Sequence, residues 1–315
     1  MLEIIIAFAL DLFLGDPVYE GHPIRIIGRW IERSETWLRS RIAHERIAGL
    51  CQAVALPTAV FVLVWFLTTV AGQIQPLLGR LVTIYFLYSA LSVKDLASEA
   101  RRVSAALRKG NLETARKNLA RIVGRDTLDL NESEIIRATV ETVAESFMDG
   151  VLAPLFYAAL GGASLALAYK AVNTLDSMVG KRSPRYREFG FFAAKIDGAI
   201  NWVPGRITWF LIGLAAFFVN GRGVEAWRVG LEDGAAASVP NSIVPEAAFA
   251  GALGVELGGK NYYSGKAVET PKMGYPMRPL ERENIRVAVT LMQASAWVSL
   301  AFVLILRYVV SLLFS

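Results

Sequence analysis

The chain carries a single cysteine, Cys51, and only two histidines, His22 and His44, in 315 residues. One thiol forms no internal disulfide, and so few soft ligands argue against a zinc site. Charge is sparse as well: Asp, Glu, Lys and Arg make up 19% of the residues, and they are unevenly spread. Residues 47–79, 150–169 and 287–306 contain no charged residue. The N-terminus, Met1-Leu2-Glu3, has no basic n-region, so a cleaved signal peptide is not expected. The net charge of +5 is not arranged as an aromatic-interleaved basic stripe, so no nucleic-acid partner is expected.

What the chain has in abundance is apolar surface, with 54% hydrophobic residues and a mean hydropathy of +0.41. A membrane span needs about 20 predominantly apolar residues, and each uncharged run reaches that length. Lipid cannot satisfy backbone N–H and C=O groups, so these runs are expected to be helical. A soluble bundle is the alternative, but its buried helices rarely stay uncharged beyond about 10–14 residues. The expected fold class is therefore all-α: a polytopic integral membrane protein forming one membrane-embedded domain over residues 1–315. Residues 1–14 form a short interfacial helix. The expected membrane segments are 50–72, 77–93, 150–169, 198–221 and 287–306.

The polar stretch 94–149 reads as three amphipathic helices, the second ending at Gly124 and the third running over residues 132–149 behind an Asn131/Glu134 cap. Residues 222–286, rich in Gly, Ala and Pro, read as a loop region. Segments 15–47 and 94–149 hold six and ten Lys/Arg and share one side, which the positive-inside bias makes cytoplasmic. Residues 150–169, interrupted by Gly161-Gly162, either cross fully or turn back as a re-entrant hairpin. Only the hairpin keeps every charged segment on one face, and it is the preferred reading.

Polar residues at membrane edges are costly unless paired, which makes them functional candidates. Arg137, Glu141, Glu145 and Asp149 repeat every four residues and share one helix face. On spacing alone a solvated charged face with Arg137 as internal partner is the favoured reading; a divalent cation with phosphate oxygens is the functional one. Lys170, Asn173 and Asp176 then follow one apolar run, while Asp197, Asn201 and Arg206 open another. Carboxylates and amides together suit hard cations and phosphates. Arg125-Asp126 is either an anion-binding pair or a loop pin. Asp16 and His22 are first of all turn residues. Residues 254–260 match G-x-x-x-x-G-K, but Asn261 replaces the required Ser/Thr and an Ala-rich helical stretch precedes it, so a phosphate loop is not expected.

Several long motifs occur together. They are residues 10–17 with His22-Pro23-Ile24-Arg25; Val123-Gly124-Arg125-Asp126-Thr127; residues 137–150; residues 169–180; Asp197 with Asn201-Trp202-Val203-Pro204; and Pro245-Glu246-Ala247-Ala248 through Gly258-Gly259. In this order they resemble the adenosylcobinamide-phosphate synthases (cobinamide synthases) of cobalamin biosynthesis. The family usually shows His-x-Ser-Pro-Asn where this chain has Ala237-Ser238-Val239-Pro240-Asn241, which puts a duty for that His and Ser in doubt.

The resemblance implies an ATP- and Mg²⁺-dependent amide ligase of the inner (cytoplasmic) cell membrane. Its corrinoid substrate, adenosylcobyric acid, would be joined to aminopropanol phosphate or a related aminoalcohol. The implied catalytic residues are Glu141, Glu145, Lys170, Asn173 and Asp176. Arg125, Asp126, Asn201 and Arg206 are implied substrate or phosphate contacts. Glu141, Glu145, Asp149, Asp176 and Asp197 are implied metal ligands. The lipid bilayer is an implied partner, and a homo-oligomer is left open. A transporter or a non-catalytic membrane sensor is the competing class; the absence of an internal repeat and the acidic motifs weigh against these.

Overall fold

The computed structural model describes residues 1–16, 19–181, 183–234, 241–263 and 265–313. Its elements run α1 (Leu2–Leu14), α2 (Pro23–Arg41), α3 (Glu45–Ile74), α4 (Pro76–Ser89), α5 (Val93–Arg108), α6 (Leu112–Leu119) and α7 (Glu132–Phe147). After a π-helical turn at Met148–Leu152 come α8 (Ala153–Val179), α9 (Phe191–Ile200), α10 (Trp202–Asn220) and α11 (Gly223–Val229). A second π turn, Gly230–Gly234, precedes α12 (Ile243–Leu253), strands β1 (Leu257–Tyr263) and β2 (Lys266–Met273), and α13 (Arg282–Leu313). Helix dominates, as the composition requires.

Five stretches are long and apolar enough to cross a membrane: Glu45–Ile74, Pro76–Arg108, Glu132–Val179, Trp202–Asn220 and Arg282–Leu313. The chain is a multi-pass membrane protein. Two of the five are not straight rods. The Pro76–Arg108 stretch breaks between α4 and α5, and α8 reverses. Inside α8, Gly161 and Gly162 leave helical geometry, Gly162 with a φ of 67° that only glycine adopts cheaply. The Tyr157 and Tyr169 rings stack with centroids 5.1 Å apart, whereas twelve residues of straight helix would separate them by about 18 Å. Residues 149–179 thus form an antiparallel hairpin whose two ends lie on the same side. Arg307 donates to the Ala159 carbonyl at 3.1 Å, satisfying a backbone group beside the break. The reversal falls at the glycine pair that the sequence reading singled out.

The helices form two compact units. Unit 1 comprises Met1–Ser92, Asp149–Trp202 and Leu300–Ser315. Within it α3 packs on α2, α4, α8 and α9, while α1 lies on α4. Unit 2 comprises Val93–Met148 and Val203–Ser299, with α7 packed on α5, α6, α12 and β1.

Three boundaries differ from the sequence reading. The second amphipathic helix stops at Leu119 instead of Gly124. The apolar run over 198–221 is divided at Asn201, which caps α9 before α10 begins. The 222–286 region is not a loop but α11, α12 and an antiparallel hairpin in which Gly259 faces Thr270 and Tyr263 faces Lys266. The third amphipathic helix starts where expected. Asn131 accepts from the Glu134 N–H at 3.0 Å and donates to the Glu134 carboxylate at 2.8 Å, closing a capping box.

Candidate active site

In unit 1 the α8 hairpin places Lys170 beside the turn that enters it. The Lys170 ammonium donates to the Asp149 carbonyl at 3.3 Å and to the Asn173 amide oxygen at 3.4 Å. The carboxylates of Asp149, Asp16 and Asp197 act on the same charge. Asp197, from α9, accepts from the Asn201 amide at 3.0 Å, and Asn201 in turn accepts from the buried Tyr169 hydroxyl at 2.9 Å. Burial holds the Asp197 carboxyl above the usual range, against the opposing pull of hydrogen bonds from Asn201 and Asn173 and of the Lys170 charge. His22 caps α2 and its Nε2 lies 2.6 Å from Asp16 Oδ1, so the N-terminal motif reaches the same cluster. Asp176 sits one turn before Gly180 and accepts its N–H at the backbone oxygen, 2.7 Å away. A Cβ on Gly180 would lie 1.8 Å from Asp176 Oδ1, so a larger residue there would displace the Asp176 carboxylate.

Unit 2 holds a second charged cluster around Glu141. One Glu141 oxygen accepts from Arg125 at 2.7 Å. The other accepts from the Gly258 N–H at 2.8 Å and from Arg137 at 3.4 Å. Asn261, 3% exposed, takes Arg125 at 2.7 Å and Arg137 at 3.0 Å. Arg137 also donates to the carbonyls of Gly258 and Lys260. Asp126 receives the Gly265 N–H at 2.7 Å, and its own N–H reaches the Tyr262 carbonyl at 2.8 Å. Arg125 and Asp126 therefore fasten the β-hairpin onto α7; loop pinning, one of the two readings left open, is the one the geometry supplies.

Glu246, at the start of α12, was not among the residues singled out for the site, although the sequence placed it inside a motif. Burial first, then the Glu141 and Glu145 charges, push its carboxyl well above the usual range. The folded state therefore favours protonated Glu246, and its ionisation costs stability as pH rises past the ordinary glutamate range. Glu246→Gln is expected to melt with wild type in acid and above it at neutral and alkaline pH, as read by thermal unfolding in detergent. Arg206 donates to Asn241 at 2.7 Å, also in unit 2. Ala237 and Val239, where the motif departs, lie outside the described residues, as do Ser238 and Pro240.

The phosphate-loop look-alike is resolved by its context. Gly254 is the left-handed C-cap of α12 and residues 257–263 are a strand, the reverse of strand–loop–helix. Gly258 has a φ of 82°, and a Cβ there would approach the Pro271 carbonyl to 2.0 Å. Gly258→Ala is expected to cost roughly 2–3 kcal/mol, visible as a lowered melting temperature.

The structure thus gathers Asp149, Lys170, Asn173, Asp197 and Asn201, with Asp176 on the same hairpin, in unit 1. It places Arg125, Asp126, Arg206, Glu141 and Glu145 in unit 2. Of the five carboxylates expected to ligate metal, Asp149, Asp176 and Asp197 lie in unit 1, and Glu141 and Glu145 in unit 2. Among the described residues no three His, Cys, Asp or Glu side chains come together as ligands, and both Glu141 oxygens are already taken. A preassembled protein cage for Mg²⁺ does not fit these residues.

Comparison with known proteins gives a consistent result. A family model described as CobD/Cbib protein matches residues 4–292. The chain is 40% identical over 314 residues to the cobalamin biosynthesis protein CobD of Clostridium perfringens, covering 99% of this chain and 100% of that one. It is 45% identical to the cobalamin biosynthesis protein CobD of Geobacter metallireducens, covering 92% and 91% of the two chains. Against the cobalamin biosynthesis protein CbiB of Salmonella typhimurium the identity is 40%, with 96% of each chain covered. No solved structure matches.

Proposed function

The chain belongs to the CobD/Cbib protein family, and from that premise we propose that it acts in cobalamin biosynthesis as an ATP-dependent amide ligase of the inner cell membrane. It joins adenosylcobyric acid to aminopropanol phosphate, or a related aminoalcohol, giving adenosylcobinamide phosphate. The observation that carries the reading is the Lys170 cluster. One ammonium is held by a backbone carbonyl and an amide and faced by three aspartates, within residues 169–180, the most distinctive stretch of the resemblance.

A carboxylate does not react with an amine until it is activated. In the proposed sequence the corrinoid carboxylate attacks the terminal phosphorus of ATP, forming an acyl phosphate and releasing ADP. The aminoalcohol nitrogen then attacks the acyl carbon, phosphate departs with the C–O electron pair, and the nitrogen gives up a proton. Lys170 is fitted to hold the negative charge of the carboxylate and of the departing phosphate, because a fixed charge in a water-poor site needs no reorganisation. Asp197, whose proton affinity burial raises, is the acceptor proposed for the amine proton. Asn173 and Asn201 orient these two side chains. Mg²⁺ is proposed only as the companion of ATP, and no step is assigned to it. Arg125, Asp126 and Glu141 keep the frame role that their contacts give them.

Two variants test the assignment. Asp176→Ala and Asp197→Asn are each expected to abolish amide formation while the protein still inserts and purifies as wild type. Full activity in either one removes that residue from the site.

A further inference from the structure

Beyond the Lys170 cluster, unit 1 holds a wider opening just past the end of α8. This groove, of about 690 Å³, is lined by Arg46, Lys181, Arg187, Glu188, Phe191 and Lys195 among others. Four cations face one carboxylate. That carboxylate is spoken for, since Arg46 Nε lies 2.5 Å from Glu188. Arg46 also sits 5.0 Å from the centre of the Phe191 ring, and the Lys195 ammonium 5.9 Å from it, so one aromatic ring on the wall of the groove holds two cations. Lys181, Arg187 and Lys195 are exposed, and none of the three is ion-paired with a described carboxylate. Gathering such charges round one concavity raises their mutual repulsion, and a polyanion relieves it. The first turn of α9 starts at Phe191 on the wall of the groove and adds the positive end of its dipole.

We infer that this groove is a binding site for a phosphate ester: either the phosphates of a nucleotide or the headgroup of an anionic lipid. Both present closely spaced phosphate oxygens, with one negative charge on a phosphodiester headgroup and several on a nucleotide, and several donors around one opening suit such a group better than a lone carboxylate. The inference does not depend on the ligase reading, because the groove is defined by residues that take no part in the proposed steps.

The test is a binding experiment on the full chain with two probes. In neutral detergent, radiolabelled ATP without metal is the first probe, read by equilibrium dialysis. In nanodiscs of phosphatidylcholine with or without phosphatidylglycerol, retention of phosphatidylglycerol by native mass spectrometry is the second. Wild type is expected to bind one of them, more weakly as ionic strength rises. The triple variant Lys181→Ala/Arg187→Ala/Lys195→Ala is expected to bind that probe at least about tenfold more weakly. Its melting temperature should not change, because all three positions are exposed. A response to ATP alone assigns the groove to a nucleotide, and a response to phosphatidylglycerol alone assigns it to lipid. Wild-type protein that binds neither probe, salt-independent binding, or a triple variant that binds as tightly as wild type would each overturn the inference.

Discussion

Replacing Lys170 by arginine is expected to lower the rate of amide formation by about 10³-fold, on the order of 4 kcal/mol of lost transition-state stabilisation. The substitution keeps the positive charge among Asp149, Asp16 and Asp197, so no buried carboxylate is left uncompensated. What changes is geometry. A compact ammonium that reaches both the Asp149 carbonyl and the Asn173 oxygen becomes a planar fork with its charge spread over three nitrogens. Lys170→Met is the harsher companion, removing charge and activity together. If Lys170 served only to neutralise its neighbours, the arginine variant would keep near-normal turnover. Single-turnover rates and melting temperatures measured on the same preparations separate the two outcomes.

Glu141→Ala is expected to be the most destabilising single change in unit 2, by roughly 3–5 kcal/mol. The Glu141 side chain is 3% exposed, and its two oxygens hold Arg125, Arg137 and the Gly258 N–H. Without it two guanidinium groups, 11% and 12% exposed, face each other with Asn261 as their shared partner. The N–H of Gly258 also loses its acceptor. A fall in melting temperature on the order of 10 °C in detergent is expected, with Glu141→Gln intermediate because it keeps an acceptor while losing the charge. An unchanged melting temperature in Glu141→Ala would mean that the cluster is not what fastens the hairpin to α7.

Several of these features were legible before any coordinates. The three uncharged runs gave membrane helices because lipid offers the backbone no other partner. The pair Gly161-Gly162 marked the reversal of α8, and Asn131 with Glu134 marked the start of α7, since both signals act within a few residues. Lys170 and Asn173, three residues apart, are spaced as side chains that meet on a helix, and the two are in contact. Longer-range pairings were not legible. Glu141 and Asp149 share a spacing on one helical stretch, yet a π turn intervenes and the two fall in different units. The β-hairpin was hidden by its glycines, although Ser264-Gly265 between Tyr263 and a run of extended-forming residues is a turn signal. Asn261, noticed only as the residue that spoils a phosphate loop, turned out to hold two arginines from α7 and the segment before it. Glu246 lay inside a recognised motif, but its spacing gave no sign of its partners, because Glu141 and Glu145 come from another helix.

The most direct measurement is a reaction on detergent-purified protein with adenosylcobyric acid, aminopropanol phosphate, ATP and Mg²⁺, following the corrinoid product by mass spectrometry and ADP in the same sample. The expected result is adenosylcobinamide phosphate formed in step with ADP, and neither when ATP or the aminoalcohol is omitted. Folded protein that yields no amide and releases no ADP under these conditions would contradict the proposed ligase function.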